Sequence, residues 1–567
     1  MACKQNIISE DYIDLLIRYR NSMEKAEEFY SGYCRQIIND SWFALYLPVS
    51  EATSLNFGTF GYYTIPKLYG LMEQSSMIES GVLRLRNQSR LNLLGKDVII
   101  GFVDTGIDYL HEVFRNSQGQ TRILSIWDQS DDTGTPPKEF CYGSEYGSEE
   151  INRAILSDDP YSIVPEKDEE NGHGTFMAGI AAGSDMGGDF TGAAPESSII
   201  AVKLRQAKKV LKDFYFINDS ANAYSETDIM LGISYLVKRA IEEEKPLVLC
   251  VGVGTSSGPH TSGTPLSQML NVISDYVKIA VVTPMGNEAN SRHHYQGSIV
   301  QERANDTVEV RVGENEKGFL LELWGNQPDI FSVEIVAPSG ETVNRIQASN
   351  EDYRRIDFIF ENTVIYLFYD IVETINGNQL ISMRFENPSP GIWRIRVYDN
   401  NALSGNFHML LPINGFLSSE TYFINSSPYT TLTQPSSATN PISVGAYNHR
   451  NNSIWIDSGR GYSASGDIKP EIVAPGVNVY GPRAGGTHNS YTTRSGTSVA
   501  AAHVAGISAL LFNWQLQQNF YSTANTLDIK SLLILGAKRE NGRSYPNPEW
   551  GYGAIDVYNV FANLINR

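Results

Sequence analysis

The alternation of strand and helix patterns in this chain stops at about residue 296 and returns at about residue 430. Before the break, continuous apolar runs such as "GKDVIIGFVDTG" and "PLVLCVGVG" alternate with amphipathic helix patterns such as "ETDIMLGISYLVKRAIEEE". Such runs are typical of parallel strands that are buried on both faces. After the break, "NPISVGAY" and "PEIVAPG" continue the same alternation. The sequence therefore predicts one α/β sheet whose chain is interrupted by an insertion.

The interruption has the pattern of a different architecture. Six segments alternate apolar with polar residues and are separated by Gly, Pro, Asn and Asp, without a helix pattern between them. A period of two is typical of strands with one buried face, and a run of such strands predicts antiparallel sheets. We expect an inserted all-β sandwich or jelly roll, with strands in "DTVEVRV", "FLLELWG", "FSVEIVAPSG", "TVIYLFYD", "LISMRFE" and "GIWRIRVYD".

The N-terminal region has a third pattern. "EDYIDLLIRYR" places Tyr12, Leu15, Leu16 and Tyr19 on one helical face, and "WFALYLPV" then has the composition of a strand. These patterns predict a small α+β unit. The expected domains are the α+β unit, the first part of the α/β domain, the β insertion and the second part of the α/β domain, over residues 1–66, 67–295, 296–430 and 431–567.

Composition disfavours several classes of partner. Lys and Arg number 44 against 64 Asp and Glu, so the net charge is -20, which disfavours binding to nucleic acid and to anionic lipid. No segment has the roughly 18 uninterrupted apolar residues of a membrane span. The N-terminus lacks the apolar core and cleavage site of a secretory signal. We therefore expect synthesis in the cytoplasm, and no nucleic-acid or membrane partner.

The four cysteines, Cys3, Cys34, Cys141 and Cys250, are too few for a disulfide framework in a chain of 567 residues. Their spacing matches neither a C-x-x-C motif nor a metal-ligand pattern. The simplest interpretation is a protein of a reducing compartment.

Three segments supply an acid, a base and a nucleophile at the ends of predicted elements. They are "GFVDTGIDYLH" with Asp104, "NGHGTFMAGIAAG" with His173 and "RSGTSVAAAHVAG" with Ser498. Taken singly, Asp104 could be a turn residue, and His173 and Ser498 could be helix caps. Together they offer the groups of nucleophilic acyl transfer, in which an imidazole takes the serine proton and a carboxylate orients the imidazole. The small residues beside them permit the close approach of a substrate backbone.

These segments resemble those of the subtilisin-like serine proteases, the S8 family, and they occur in that family's Asp, His, Ser order. "FTGAAPESSIIAVKL" and "IVAPGVNV" resemble further segments of the family. The resemblance implies a subtilisin-like parallel sheet with helices on both faces and a catalytic triad of Asp104, His173 and Ser498. Because "PMGNEAN" resembles the family's oxyanion loop, it also implies an oxyanion hole formed by the Asn287 side chain and the Ser498 backbone amide.

The resemblance extends to the substrate cleft. "VGVGT" resembles the strand that pairs with the substrate backbone, so we expect a protein or peptide substrate to contact Gly252, Val253, Gly254, Thr255, Met285 and Gly286. Three positions depart from the family pattern. Ala502 stands where proline is usual, and Cys250 and Gly252 stand where Asn and Ser are more typical. We expect an altered pocket with the chemistry retained.

The family resemblance implies no cofactor for the chemistry. The acidic run "EKDEENGHG" before and around His173 has two interpretations, a cation site or a solvated surface, and the second is favoured. A structural calcium ion is unassigned, and the metal content is left open.

Within the family, the chain resembles the clostridial Csp group of spore germination proteases. In that group the N-terminal unit is a prodomain that assists folding, is cut autocatalytically and often stays bound over the cleft. The segment "NFGTFGYYTIPKLYG", residues 56–70, is then the expected tail to be cut, although it could also be an interdomain linker. The resemblance implies cleavage of a cortex-lytic proenzyme and an association with spores.

Two functions follow as alternatives. The first is an active serine endopeptidase that processes its own prodomain. The second is a catalytically silent binding or signalling module whose cleft is filled by the prodomain. A carbohydrate-binding role for the β insertion rests on fold analogy alone.

Overall fold

The computed structural model describes residues 11–18, 25, 30–39, 42–51, 75–88, 91–168, 172–187, 190–299, 305–349, 352–373, 375–399, 403–485, 487–518 and 523–565. The chain divides into two compact units, Met1–Met72 and Glu73–Arg567. The expected prodomain tail, residues 56–70, lies outside the described residues.

The first unit contains a three-stranded antiparallel sheet in the order β1-β3-β2, formed by β1 (Tyr12–Arg18), β2 (Cys34–Asn39) and β3 (Trp42–Pro48). The strand predicted from "WFALYLPV" is confirmed, but the helix predicted from "EDYIDLLIRYR" is wrong. Ile13, Leu15 and Ile17 recur at every second position and pack with Leu45 and Leu47. A period of two with β-branched residues favours a strand over a helix.

One cysteine of the first unit is oxidised. Cys34 is disulfide-bonded, whereas Cys141 and Cys250 are free thiols. A disulfide at Cys34 is unexpected for a protein of a reducing compartment, which is the simplest interpretation of the sequence.

The strands of the second unit, in chain order, are β4 (Ile99–Asp104), β5 (Ile123–Asp128), β6 (Ser144–Gly147), β7 (Ser198–Lys203), β8 (Leu247–Val251), β9 (Ile279–Pro284), β10 (His294–Ser298), β11 (Asp306–Val312), β12 (Gly318–Gly325), β13 (Phe331–Val336), β14 (Thr342–Ile346), β15 (Asp352–Asp357), β16 (Val364–Asp370), β17 (Gln379–Glu386), β18 (Gly391–Asp399), β19 (Asn406–Leu410), β20 (Tyr422–Phe423), β21 (Ile442–Asn448), β22 (Ser453–Ile454), β23 (Ile472–Pro475), β24 (Val479–Pro482) and β25 (Tyr491–Arg494).

Its helices are α1 (Ser75–Glu79), α2 (Val82–Arg86), α3 (Ser148–Ile155), α4 (His173–Ala182), α5 (Lys209–Phe214), α6 (Glu226–Glu242), α7 (Pro265–Ser274), α8 (Thr497–Gln517), α9 (Thr526–Gly536) and α10 (Val557–Ile565). Short 3₁₀ turns lie at Val49–Glu51 in the first unit and at Glu112–Phe114 and Pro160–Ser162 in the second.

A nine-stranded sheet forms the centre of the second unit. Its order is β22-β21-β9-β8-β4-β7-β5-β6, with β23 paired to β21. The strands from β5 to β21 are parallel to their neighbours, and β6 and β22 are antiparallel edge strands. The predicted α/β sheet is therefore confirmed as a mixed sheet.

Helices cover both faces of this sheet. On β4, Ile100 and Phe102 pack in one core with α4 and α8, whereas Ile99 and Val103 pack in another core with α6 and α7. All residues of β4 are buried. Burial on both faces explains why the strand is a continuous apolar run rather than an alternating one.

The chain leaves the nine-stranded sheet after β9 and returns to it at the neighbouring strand β21. Between them, the described residues form strands without helices. These strands make a six-stranded sheet, β10-β19-β12-β17-β16-β15, and a five-stranded sheet, β14-β13-β18-β11-β20. Their pairs are antiparallel, and side chains of both sheets share one core. We call this part of the chain the β region.

One described helix, α8, is long and apolar enough to cross a membrane by length and composition. However, 83% of its apolar window is buried inside the protein. The helix therefore has the surroundings of a core helix.

Helices α4 and α8 approach closely at Gly506. A Cβ atom on Gly506 would lie 2.5 Å from the carbonyl oxygen of Ala181 and 2.5 Å from the Cβ of Ala193. The first of these atoms belongs to the backbone of α4 and cannot turn aside. Only glycine permits this distance between the two helices.

The substitution Gly506→Ala is expected to lower the free energy of unfolding by about 1–3 kcal/mol, because overpacking outweighs the gain in helix propensity. Urea unfolding followed by circular dichroism measures this change. Gly147→Ala is the control, because Gly147 lies in the same unit and a Cβ there meets no atom within 4 Å. Equal stability of Gly506→Ala and the unsubstituted protein would contradict the close contact.

Candidate active site

Asp104 is the last residue of β4, at the carboxyl end of the parallel sheet. Its side chain is buried, and Oδ1 accepts a hydrogen bond from the Thr105 amide at 2.7 Å. The same oxygen lies 2.7 Å from Nδ1 of His173. Because a carboxylate can only accept, Nδ1 carries the proton of the neutral ring, and Nε2 is left as the acceptor.

His173 and Ser498 each lie in the first turn of a helix. His173 opens α4, and Ser498 is the second residue of α8. Ser498 Oγ lies 2.8 Å from His173 Nε2, so the hydroxyl donates to the imidazole. The structure thus brings the three predicted residues, Asp104, His173 and Ser498, into one line of hydrogen bonds.

The surroundings of His173 favour its charged form. Burial of the ring lowers the pKa, but the charge of Asp104 and the hydrogen bond with it outweigh burial and raise the pKa of His173 above its usual value. Arg494 opposes this effect, and Asp168 adds to it. An imidazole held in this way is stabilised as it gains a proton.

Asn287 lies beside the start of α8. Its side-chain Oδ1 accepts from the Thr497 amide at 3.1 Å and from the Thr497 hydroxyl at 2.9 Å. The Thr497 hydroxyl also accepts from the Gly286 amide at 3.0 Å. With Oδ1 engaged, the amide group of Asn287 is oriented so that its N–H donors face away from Thr497. Sequence reasoning found Asn287 but missed Thr497, whose role depends on contacts between distant segments.

The residue after Asn287 connects this loop to the β region. Glu288 is buried, and its Oε2 lies 3.1 Å from Nδ1 of His293, next to β10. Its Oε1 accepts from the backbone amide of Asn414, which follows β19, at 3.2 Å. One carboxylate therefore joins the Asn287 loop to the segment before β10 and to the segment after β19, its antiparallel partner strand.

The predicted cleft strand lies beside the Asp104–His173 pair. A Cβ at Gly252 would lie 1.8 Å from Asp104 Oδ2 and 3.4 Å from His173 Cε1, so only glycine fits here. Val253 packs against the core of α6 and α7, and Gly254 is exposed. Thr255 exchanges two backbone hydrogen bonds with Gln434, at 3.0 and 2.7 Å. Its backbone is therefore already paired within the protein.

The second predicted wall consists of Met285 and Gly286. Met285 is fully buried, and its carbonyl accepts from the Thr433 amide at 2.9 Å. A Cβ atom placed on Gly286 would lie 2.4 Å from Thr433 Cγ2, and one placed on Gly254 would lie 2.7 Å from Thr433 Oγ1. Thr433 thus occupies the space that the two glycines leave. Sequence reasoning missed Thr433, because nothing in its local pattern distinguishes it from other loop threonines.

The described residues of the acidic run before His173 are not fully solvated. Glu166 and Asp168 are buried, and both accept hydrogen bonds from the backbone. The favoured interpretation of a solvated run is wrong for these two residues; Glu169 and Glu170 lie outside the described residues. Within the described part of the chain, no cluster of three or more His, Cys, Asp or Glu could hold a metal ion.

Comparison with known proteins shows a family match over most of the chain. The model of the subtilase family, peptidase S8, matches residues 95–349 and 404–553. The solved structure of the CspB protease of Clostridium perfringens is similar, with 33% sequence identity and a TM-score of 0.77, over 87% of this chain and 98% of that chain.

Two curated relatives match at the level of sequence. The PII-type proteinase of Lacticaseibacillus paracasei is 23% identical over 522 residues, which cover 82% of this chain and 26% of that proteinase. The serine protease AprX of Bacillus subtilis is 33% identical over 153 residues, which cover 24% of this chain and 33% of AprX. The chain therefore spans about a quarter of the length of the first of these relatives.

The contacts of Thr497 generate a prediction. Thr497→Val keeps the shape of the side chain but removes the hydroxyl that orients Asn287, so kcat for peptide hydrolysis should fall about tenfold at nearly constant KM. Steady-state kinetics on a peptide substrate measures both constants.

Thr526→Val is the matched control. Thr526 is equally buried at the start of α9, and its hydroxyl bonds to backbone groups of Ile279 and Val281. An equal fall of kcat in both variants would show that the effect is a general loss of stability.

Proposed function

Because the chain belongs to the subtilase family, we propose that it is a serine endopeptidase with Asp104, His173 and Ser498 as its catalytic triad. Ser498 Oγ attacks the scissile carbonyl, and His173 Nε2 takes the hydroxyl proton and later gives it to the leaving amine. Asp104 holds the ring in the tautomer that this step needs and stabilises the imidazolium.

The observation that carries this proposal is the continuous hydrogen-bonded line from Ser498 through His173 to Asp104, with lengths of 2.8 and 2.7 Å. The three residues are separated by long stretches of sequence and lie at the ends of three elements. A cap or a turn residue needs no such alignment. The raised pKa of His173 also supports a ring that accepts a proton during the reaction.

The oxyanion of the tetrahedral intermediate would lie between the Asn287 side-chain amide and the backbone amide of Ser498. The Asn287 donors are oriented by Thr497. The Ser498 amide belongs to the first turn of α8, where helix amides lack helix partners and the dipole favours negative charge. Donors placed in advance of the reaction stabilise the developing charge without reorganisation.

The substrate would bind as an extended strand along Gly252–Gly254, in the manner of β-strand addition. The pairing would end at Thr255, because Gln434 already occupies the backbone of that residue. Thr433 would then limit the depth of the pocket between Gly254 and Gly286. The substrate residue before the cut bond should accordingly have a small side chain.

The first unit is proposed to be a prodomain that the enzyme cuts within residues 56–70. The similarity to the CspB protease supports this proposal, as does the division of the chain into two compact units. Binding of the prodomain at the cleft, a jelly-roll arrangement of the β region, a cortex-lytic proenzyme as substrate and an association with spores are proposed on the same similarity. No cofactor takes part in the proposed chemistry.

Self-processing tests the proposed function directly. The unsubstituted protein should react with a fluorophosphonate and should yield fragments of about 60–70 and about 500 residues. Ser498→Ala should do neither, because the attacking oxygen is absent. Gel electrophoresis and mass spectrometry of the purified proteins measure both outcomes. A folded, unlabelled and uncut protein would instead support the silent binding module.

The position of Thr433 predicts substrate preference. Thr433→Gly should raise the ratio of kcat/KM for a peptide with Phe before the cut bond to that with Ala by at least about tenfold. Peptide pairs that differ only at this residue measure the ratio. Thr433→Val has nearly the volume of threonine and should keep the original preference. A ratio that does not change in Thr433→Gly would place the pocket elsewhere.

A further inference from the structure

We propose that Asp168 is a positioning residue that joins the Asp104 segment to the His173 helix and adds a second negative charge to the surroundings of the imidazole. This inference rests on the proposed function of His173 as the general base. Asp168 belongs to the acidic run that precedes the histidine motif, and the mechanism described above does not use it.

The first contact of Asp168 reaches the segment of Asp104. Thr105 follows Asp104 directly, and its hydroxyl donates to Asp168 Oδ1 at 2.7 Å. The same hydroxyl accepts from the Gly174 amide at 2.9 Å. Thr105 is therefore held between the carboxylate of Asp168 and the residue that follows His173.

The second contact reaches the helix of His173. Asp168 Oδ2 accepts from the Thr175 amide at 2.8 Å and from the Thr175 hydroxyl at 2.6 Å. The Thr175 hydroxyl accepts in turn from the Asp108 amide at 2.8 Å. One carboxylate thus bridges the end of β4 and the first turn of α4, the two segments that must align Asp104 with His173.

Asp168 acts as an acceptor in each of its side-chain hydrogen bonds. Its side chain is buried, and its three hydrogen-bond partners, the Thr105 hydroxyl and the amide and hydroxyl of Thr175, all donate. Burial outweighs these donors and raises the pKa of Asp168 above its usual value. The backbone of Asp168 has a φ of 47°, a left-handed conformation in which Asn and Asp are enriched.

The charged groups around the two side chains give the sign of the effect. His173 experiences Asp104 and Asp168, which favour its cation, and Arg494, which disfavours it. Asp168 itself lies near the carboxylates of Asp104 and Glu166. The charge of Glu166 is paired with Lys203 at 2.6 Å, and Lys203 also pairs with Asp128 at 3.3 Å. Removal of the Asp168 charge therefore lowers the pKa of His173 and weakens the stabilisation of the imidazolium.

The test is Asp168→Asn, which keeps the size of the side chain and suits the left-handed backbone. The rate constant of fluorophosphonate labelling is measured from about pH 5 to 9, the range in which histidine titrates. We expect the acid limb of the profile to move to lower pH, because the Asp168 charge favours the imidazolium. The plateau rate should fall about tenfold, because the two segments lose part of their alignment.

Asp329→Asn is the matched control. Asp329 is a buried carboxylate of the β region that accepts from the amides of Leu403, Ser404 and Gly405 and from the Ser404 hydroxyl. Loss of the Asp329 charge should lower the free energy of unfolding without moving the acid limb of the labelling profile.

A second pair of variants separates the alignment of the two segments from the charge of Asp168. Thr105→Val should lower the plateau rate of labelling without moving the acid limb to lower pH, and Thr105→Ser should keep the original plateau rate.

A measurement without catalysis keeps this inference apart from the proposed function. In a Ser498→Ala background, the pKa of His173 is read by NMR from the ring carbon and proton shifts, with and without Asp168→Asn. A lower pKa in the Asp168→Asn protein is expected. An unchanged pKa overturns the inference, whereas a lowered pKa in a protein that fluorophosphonate never labels overturns only the proposed function.

Discussion

The close packing of helix α4 against helix α8 is the constraint on which the site depends. Each helix carries one residue of the proposed triad in its first turn, so the distance between the helices sets the distance from His173 to Ser498. Gly506 lets the two backbones meet, because any side chain there would overlap the carbonyl of Ala181. The apolar core shared by these helices and the sheet then holds both first turns against the end of β4. A hydrogen bond of 2.8 Å is thereby fixed by packing far from the reacting atoms.

Around this packed frame lies a layer of buried polar groups. Asp168 and Asn287 accept from threonine hydroxyls and from backbone amides at the starts of α4 and α8, and Asp104 accepts from the backbone amide of Thr105. Buried polar groups are costly when they lack partners, so each satisfied bond restricts the site to one arrangement. Short polar side chains next to helix starts are well suited to this task, because the first amides of a helix have no partner within it.

The large divisions of the fold could be predicted from the sequence because each follows from a period. Runs buried on both faces gave the strands of the nine-stranded sheet, and alternation gave six strands of the β region. The helix assigned to "EDYIDLLIRYR" was wrong, because spacings of two and of three to four both fit such a short apolar run. The strand β15, Asp352–Asp357, was not found, since it lies at a sheet edge with largely exposed side chains and shows no alternation.

The same contrast holds at the site. Asp104, His173 and Ser498 belong to motifs that can be identified from the sequence alone, and the fold brings them into hydrogen-bond contact. The roles proposed for Thr433, Thr497 and Asp168 depend on contacts between segments that are far apart in the chain. A local sequence pattern does not show such contacts. An acidic run is normally solvated, and the local sequence does not distinguish Glu166 and Asp168 as the carboxylates that are buried.

The carboxylate of Glu288 has a mechanical consequence. Glu288 belongs to the loop of Asn287, and its carboxylate bonds to His293, before β10, and to Asn414, after β19. A displacement of the eleven-stranded β region would therefore also displace the loop that carries Asn287, the proposed oxyanion donor. The β region and the Asn287 loop are therefore coupled through one side chain, and a substitution of either part is expected to alter the position of the other.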